Sequence, residues 1–265
     1  MGKTVIHPNL RSIKLPDIDR ISDYTRPLRW LTLGWHDMQR TPLLSLGYGA
    51  LFAVLGYALT HYAWGSAQLS FTLTSGFLLV APFLAIVFYD LSHLAEHRHA
   101  PRLLHIIKPL RANGGSILFF ALMLGFAMSV WERLSAIFLA LNIKGELVGF
   151  DGFSNALLHG QQLDVIVPYL LMGALLAAVV FALSVVSLPM LLHRRVDLAT
   201  ALMTSLWTVR SNPLLMLEWA LIIVALSVVG FATMFIGMVV IFPLIGHASW
   251  HAYRDLVERS VEPYL

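Results

Sequence analysis

The sequence predicts an all-α fold: a polytopic membrane protein of about six transmembrane helices in three pseudo-repeats, each opened by an amphipathic helix at the cytoplasmic interface. Three observations carry this. Of 265 residues, 58% are hydrophobic and only 12% are charged, roughly half the charged share of a water-soluble domain. The apolar residues gather into runs of about 20, the length that crosses a bilayer core. The basic residues gather between alternate runs. The first observation excludes a soluble globule and, more firmly, a disordered chain.

Taken in order, the runs are about residues 43–62, 69–89, 116–141 and 165–192. A fifth and a sixth share the apolar stretch 214–250. That stretch is too long for one ordinary span and enough for two short ones, with Gly230 as the expected turn. Arg26, Arg29 and Arg40 precede the first run. Arg98, Arg102, Lys108 and Arg111 separate the second from the third. Arg194, Arg195 and Arg210 separate the fourth from the fifth, and Arg254 and Arg259 follow the sixth. The opposite loops are nearly free of basic residues, so the positive-inside rule puts both termini in the cytoplasm. The net charge of +3 then reflects orientation toward anionic headgroups, and a nucleic-acid partner is excluded. Residues 1–27 are polar, without the apolar segment of a signal peptide. The absence of cysteine excludes disulfides, thiolate metal sites and thiol catalysis. The expected division is a cytoplasmic tail at 1–27, one membrane domain at 28–258 and a cytoplasmic tail at 259–265.

The pseudo-repeats, about 28–99, 100–195 and 196–258, rest on a passage that recurs before each odd span. Leu28, Leu31, Trp35 and Met38 recur at helical spacing, and Arg40-Thr41-Pro42 follows. Leu103, Ile106, Ile107 and Leu110 precede Arg111-Ala112-Asn113. Leu198, Leu202, Leu206 and Val209 precede Arg210-Ser211-Asn212-Pro213. Each passage reads as an interfacial amphipathic helix whose arginine sits among phosphates. A proline recurs near the end of each even span: Pro82, Pro189 and Pro243.

Two of these segments carry a resemblance. Arg26-Pro-Leu-Arg-Trp-Leu-Thr-Leu-Gly-Trp-His-Asp-Met-Gln-Arg-Thr-Pro42 and Pro243-Leu-Ile-Gly-His-Ala-Ser-Trp-His-Ala-Tyr-Arg-Asp-Leu256 resemble a family of predicted bacterial integral membrane proteins catalogued as a domain of unknown function. The likeness runs from about residue 26 to 258. The second segment is also weakly similar to membrane domains found beside glycerophosphodiester phosphodiesterases, which are not the catalytic part. The resemblance implies a membrane fold and a bacterial inner-membrane location, and no agreed activity. Some members are labelled relatives of cytochrome c oxidase subunit I. Such a subunit needs haem and copper histidines inside its spans, whereas here the histidines stand mostly at span ends and in linkers.

Eleven histidines are many for so apolar a chain. His93/His97 and His247/His251 are spaced i,i+4, which puts two imidazoles on one helix face as a metal or haem site requires. Asp90 and Glu96 stand close to the first pair. The opposing reading is that a ring with a polar edge suits an interface; the expectation is that the two pairs face different environments, at least one of them solvent or headgroups, and hold no metal. Glu218, about one and a half turns into the fifth span, and Glu132–Arg133, beside Trp131 in the outer part of the third, are the intramembrane charges. Glu132 and Arg133 read as part of an interface belt. Ala121, Gly125 and Ser129 in the third span, Gly173 and Ala177 in the fourth, and Gly47, Gly49 and Gly56 in the first permit close helix packing. No nucleophile elbow, P-loop, dinucleotide fingerprint or zinc-protease motif occurs. The expected function is therefore non-enzymatic and without cofactor: an accessory or assembly partner of other membrane complexes. A small-solute or ion transporter or channel is the alternative, and a cytoplasmic-side metal or haem protein comes third.

Overall fold

The computed structural model describes residues 18, 21, 23–63, 84–96, 113–142 and 159–257. Within them the chain is helical: α1 Arg26–Arg40, α2 Pro42–Ala63, α3 Ile86–Glu96, α4 Gly114–Asn142, α5 Leu163–Ser184, α6 Ser187–His193, α7 Leu198–Ser211, α8 Pro213–Ala232 and α9 Met238–Leu256. Four stretches are long and apolar enough to cross a membrane: Pro42–Tyr62, Gly114–Asn142, Leu163–His193 and Pro213–Ala232. The expected second span lies mostly outside the described residues, as do His97 and Pro82. The expected sixth is helical as α9 but is not among the four. Its second half carries His247, His251, Arg254 and Asp255, which makes it less apolar than those four.

The spans are built for lipid rather than water. Leu118, Phe119, Leu122, Leu171, Leu221 and Val228 all project from the bundle. In α7 the sense of a soluble amphipathic helix is inverted. Ala201, Thr204, Ser205 and Thr208 are buried while Leu206 and Trp207 are exposed. Thr204 and Thr208 donate to the carbonyls of Thr200 and Thr204, and Ser205 donates to the Ala182 carbonyl of α5. Hydroxyls turn inward where they find acceptors, and apolar side chains turn toward the bilayer. α1 is similar: Trp30, Gly34, Asp37 and Met38 are buried, while Leu28 and Trp35 are exposed.

The joints between amphipathic helix and span are alike. α1 ends before Thr41-Pro42 and α7 before Asn212-Pro213, because the residue preceding proline is pushed out of the helical region. Thr41 adopts φ −128°, ψ 52° and Asn212 φ −130°, ψ 53°. In each the joint residue's N–H still bonds the carbonyl four residues back, that of Asp37 or Thr208. Pro42 and Pro213, which have no N–H, interrupt the ladder at the next position, and the chain bends there from the amphipathic helix into the apolar one.

The α8–α9 turn differs from expectation. Gly230 remains helical, and the reversal occupies residues 233–237. A Cβ at Gly230 would stand 2.7 Å from the Met238 sulfur, so this glycine admits the neighbouring helix. The turn is closed instead by Thr233, whose hydroxyl donates to the Gly230 carbonyl and accepts from the Gly237 N–H, both at 2.8 Å. It places two non-glycine residues, Met234 and Phe235, in the left-handed region at φ 53° and 67°, a strained conformation for side chains of this kind.

α9 is the hub. It packs on α1, α2 and α3, and more lightly on α8 and α6. Small residues allow this. A Cβ at Gly34 would stand 2.7 Å from the Ala248 backbone nitrogen, and one at Gly49 would fall on the Val239 carbonyl oxygen. That carbonyl is the one Pro243 leaves without an N–H four residues on, and the Gly49 backbone lies against it. Phe52 stacks on Phe242 at 3.7 Å and Phe88 meets Phe242 edge-on at 5.3 Å, closing the apolar side of the hub.

Candidate functional site

Two segments about 200 residues apart in sequence, residues 26–42 and 243–256, form one hydrogen-bonded unit. Arg26 of α1 holds Asp255 of α9 through both carboxylate oxygens, at 2.9 and 3.1 Å. The Trp30 indole N–H donates to the same carboxylate at 2.9 Å. Two turns on, the Gly34 backbone meets Ala248. One turn further, Asp37 Oδ2 bonds His251 Nε2 at 2.7 Å, with Arg40 at 3.6 Å from the other oxygen.

A second line of polar groups runs inward from there. His247 is fully buried. Its Nε2 bonds the Ser45 hydroxyl of α2 at 2.9 Å, and its Nδ1 bonds the Ser92 hydroxyl of α3 at 2.7 Å. A hydroxyl both donates and accepts, so the pair satisfies either neutral tautomer. Ser45 meets Thr41 at 3.1 Å, and Thr41 donates to the Asp37 carbonyl. Ser92 also lies close enough to Asp37 to favour its charged form. Thr41, Ser45, His247, Ser92, Asp37 and His251 thus form one connected network tying α1, α2, α3 and α9.

Burial alone would raise the Asp37 carboxyl; the hydrogen bond from His251, the nearby Ser92 hydroxyl and the charge of the two imidazoles outweigh it and hold it below its ordinary 3.8. A carboxylate depressed on folding contributes stability above its unfolded pKa, and that contribution is lost as pH falls through the folded value. The stability advantage of the wild type over Asp37→Asn should therefore shrink as pH falls below about 3.8. Unfolding midpoints of both proteins in mild detergent, from pH 7 downward, measure it.

A third cluster lies across α9. His93 of α3 and His193 of α6 meet at 5.3 Å between ring centroids, and each lies 5.4 Å from Trp250. His193 Nδ1 bonds the Tyr253 hydroxyl at 3.0 Å. Glu96 accepts from the Trp250 indole at 3.1 Å and pairs with Arg254 at 3.4 Å. Buried Arg194 bonds Tyr253 as well. Asp90 is buried one turn before His93.

The sequence-predicted residues therefore separate. His247 and His251 face α1, α2 and α3 through Ser45, Ser92 and Asp37, whereas His93 faces His193 and Trp250. His97 lies outside the described residues. Among the described residues no three of His, Asp and Glu are placed to hold one metal ion. Glu218 is half-buried beside Trp219, which meets Trp30 edge-on at 5.5 Å. Glu132 and Arg133 are exposed on the outside of α4 and line no interior path. Trp131, read from the sequence as a belt residue, is buried against Gly173 and Tyr169 of α5.

Asp37, Ser45, Ser92 and Asp255 were not singled out by the sequence reading. A signal existed: Asp37, Thr41 and Ser45 recur every four residues across the Pro42 joint, a polar stripe on one helical face. Ser92 and Asp255 offered none, because their partners lie on other helices.

Such an arrangement can fasten helices and exchange protons along its chain. Ser45 is fully buried, so its contact with an imidazole does not make it an accessible nucleophile. No curated protein and no solved structure matches the chain. The α1–α9 unit lies outside residues 70–193, the stretch over which the chain matches the model of a family described as predicted integral membrane protein (DUF2189), and this is the family of membrane proteins of unknown function that the sequence resembles.

Proposed function

We propose that this integral membrane protein is a non-enzymatic accessory or assembly partner of other complexes in a bacterial inner membrane. In this reading it crosses six times, with both termini and the hydrogen-bonded end in the cytoplasm. The like joints at Thr41 and Asn212 support the pseudo-repeat, and the return of α9 beside α8 supports an even number of crossings. The observation that carries the functional reading is a contrast. Asp37, His247, His251 and Asp255 inside the bundle are engaged with groups on neighbouring helices. Glu218, on the flank of α8, makes no hydrogen bond or ion pair among the described residues. A carboxylate within a span costs a few kcal/mol, and a basic or hydrogen-bonding group on another membrane helix would offset that.

The test is a photo-crosslinking residue at Leu214 or Leu221, both exposed on α8 one turn either side of Glu218, in native membranes. The expected product is a discrete adduct with a different membrane protein, lost in Glu218→Ala. Adducts with lipid alone would refute the reading.

A further inference from the structure

We infer that α4 is the interface between two copies of this chain, paired about a two-fold axis along the membrane normal through reciprocal Glu132–Arg133 ion pairs. The argument begins with depth. Trp131 lies against Tyr169 and Gly173 of α5, six and ten residues after Leu163. At 1.5 Å per residue, that sets this level about 9–15 Å in from the start of α5. Ser135, one turn further along α4, is buried and bonds the Tyr169 hydroxyl at 2.8 Å, which confirms the register. Glu132 and Arg133 thus stand inside the bundle's length rather than at its rim.

Both are nevertheless exposed, and among the described residues neither makes a hydrogen bond or an ion pair. Two unpaired charges on the lipid side of a span are costly at this depth. Snorkelling relieves an arginine better than the shorter glutamate. What distinguishes this pair is its self-complementarity. A two-fold axis along the membrane normal keeps each residue at its own depth, and an isologous interface sets residue i against j and j against i. Adjacent residues of opposite charge on one helix then meet their opposites on the other. A different protein would have to supply the matching pair itself.

The rest of the face permits the approach. Gly125 lies seven residues before Glu132, on the same line of the helix, and a Cβ there would meet nothing within 4 Å. Ser129 lies between them, exposed, with its hydroxyl turned back to the Gly125 carbonyl at 3.1 Å. The backbone of a second α4 can therefore come close at this level, which brings the two charge pairs into contact.

The chain has no cysteine, so a single Ser129→Cys reports the contact without background. In the full-length protein in native membranes, mild oxidation should give a product of twice the chain's mass. Leu221→Cys, on the exposed flank of α8, should not. Glu132→Arg and Arg133→Glu should each lower the dimer fraction about tenfold. The double variant Glu132→Arg/Arg133→Glu should restore it, because the reciprocal pairs re-form with their signs exchanged. Gly125→Leu should weaken dimerisation without lowering the thermal stability of the monomer, since an added Cβ there meets nothing within 4 Å. A monomer at all protein concentrations, a Ser129→Cys adduct with a different protein, or a double swap that fails to restore the dimer would overturn the inference.

Discussion

Gly49→Leu should prevent the bundle from forming, while Gly47→Leu on the same helix should be tolerated. A side chain at position 49 would occupy the Val239 carbonyl and stand 2.8 Å from the Pro243 ring. Neither can yield. The carbonyl belongs to the hub helix, and the ring is fixed to its own backbone. Overpacking against rigid atoms costs about 3 kcal/mol or more. At position 47 nothing lies within 4 Å, and an added leucine would face lipid, where it belongs. Thermal unfolding in mild detergent and the yield of monodisperse protein should separate the two. Equal effects would mean that α2 and α9 do not meet at Val239.

His247→Leu should cost about 3 kcal/mol, and much of that should return when Ser45→Ala is added. The ring is fully buried and both nitrogens are engaged. Leucine fills most of the volume but takes the imidazole partner from two buried hydroxyls, at up to about 1–3 kcal/mol each, with Ser45 keeping only its 3.1 Å contact to Thr41. Removing the Ser45 hydroxyl removes one of those penalties, so the double variant should be about 1–2 kcal/mol more stable than the single. Denaturation of the wild type and of the single and double variants gives the coupling directly. A double variant no more stable than His247→Leu would show that Ser45 finds another partner when the imidazole is gone.

The asymmetry between these two glycines shows where sequence reading stops. Gly47, Gly49 and Gly56 all suggest close packing, and spacing alone treats them as equal. Only the placement of α9 separates them, and that placement depends on contacts of high sequence separation. The histidines teach the same lesson. The i,i+4 pair His247/His251 does share a helix face, as periodicity requires, but a shared face does not make a shared site. Their partners come from α1, α2 and α3: Ser45 and Ser92 for one and Asp37 for the other. His93 instead meets His193, which spacing could not link to it across 100 positions.

By itself the sequence determined the class of solvent and the local path of the chain. Apolar runs of span length, charges gathered between them, and proline after a basic amphipathic helix are properties of neighbouring residues. Periodicity and backbone sterics convert them into helices, bends and lipid-facing flanks whatever the rest of the chain does. Tertiary structure alone decided that α9, the least apolar of the expected spans, becomes the hub. Its Ala248 and Gly246 admit α1 and α3 closely, Gly49 of α2 lies against its Val239 carbonyl, and its histidines, arginine and aspartate find their counter-groups only on those helices. In a bilayer a polar side chain gains little from its own neighbours and much from a partner across the bundle. The residues that hold this protein together were therefore the ones least legible in its sequence.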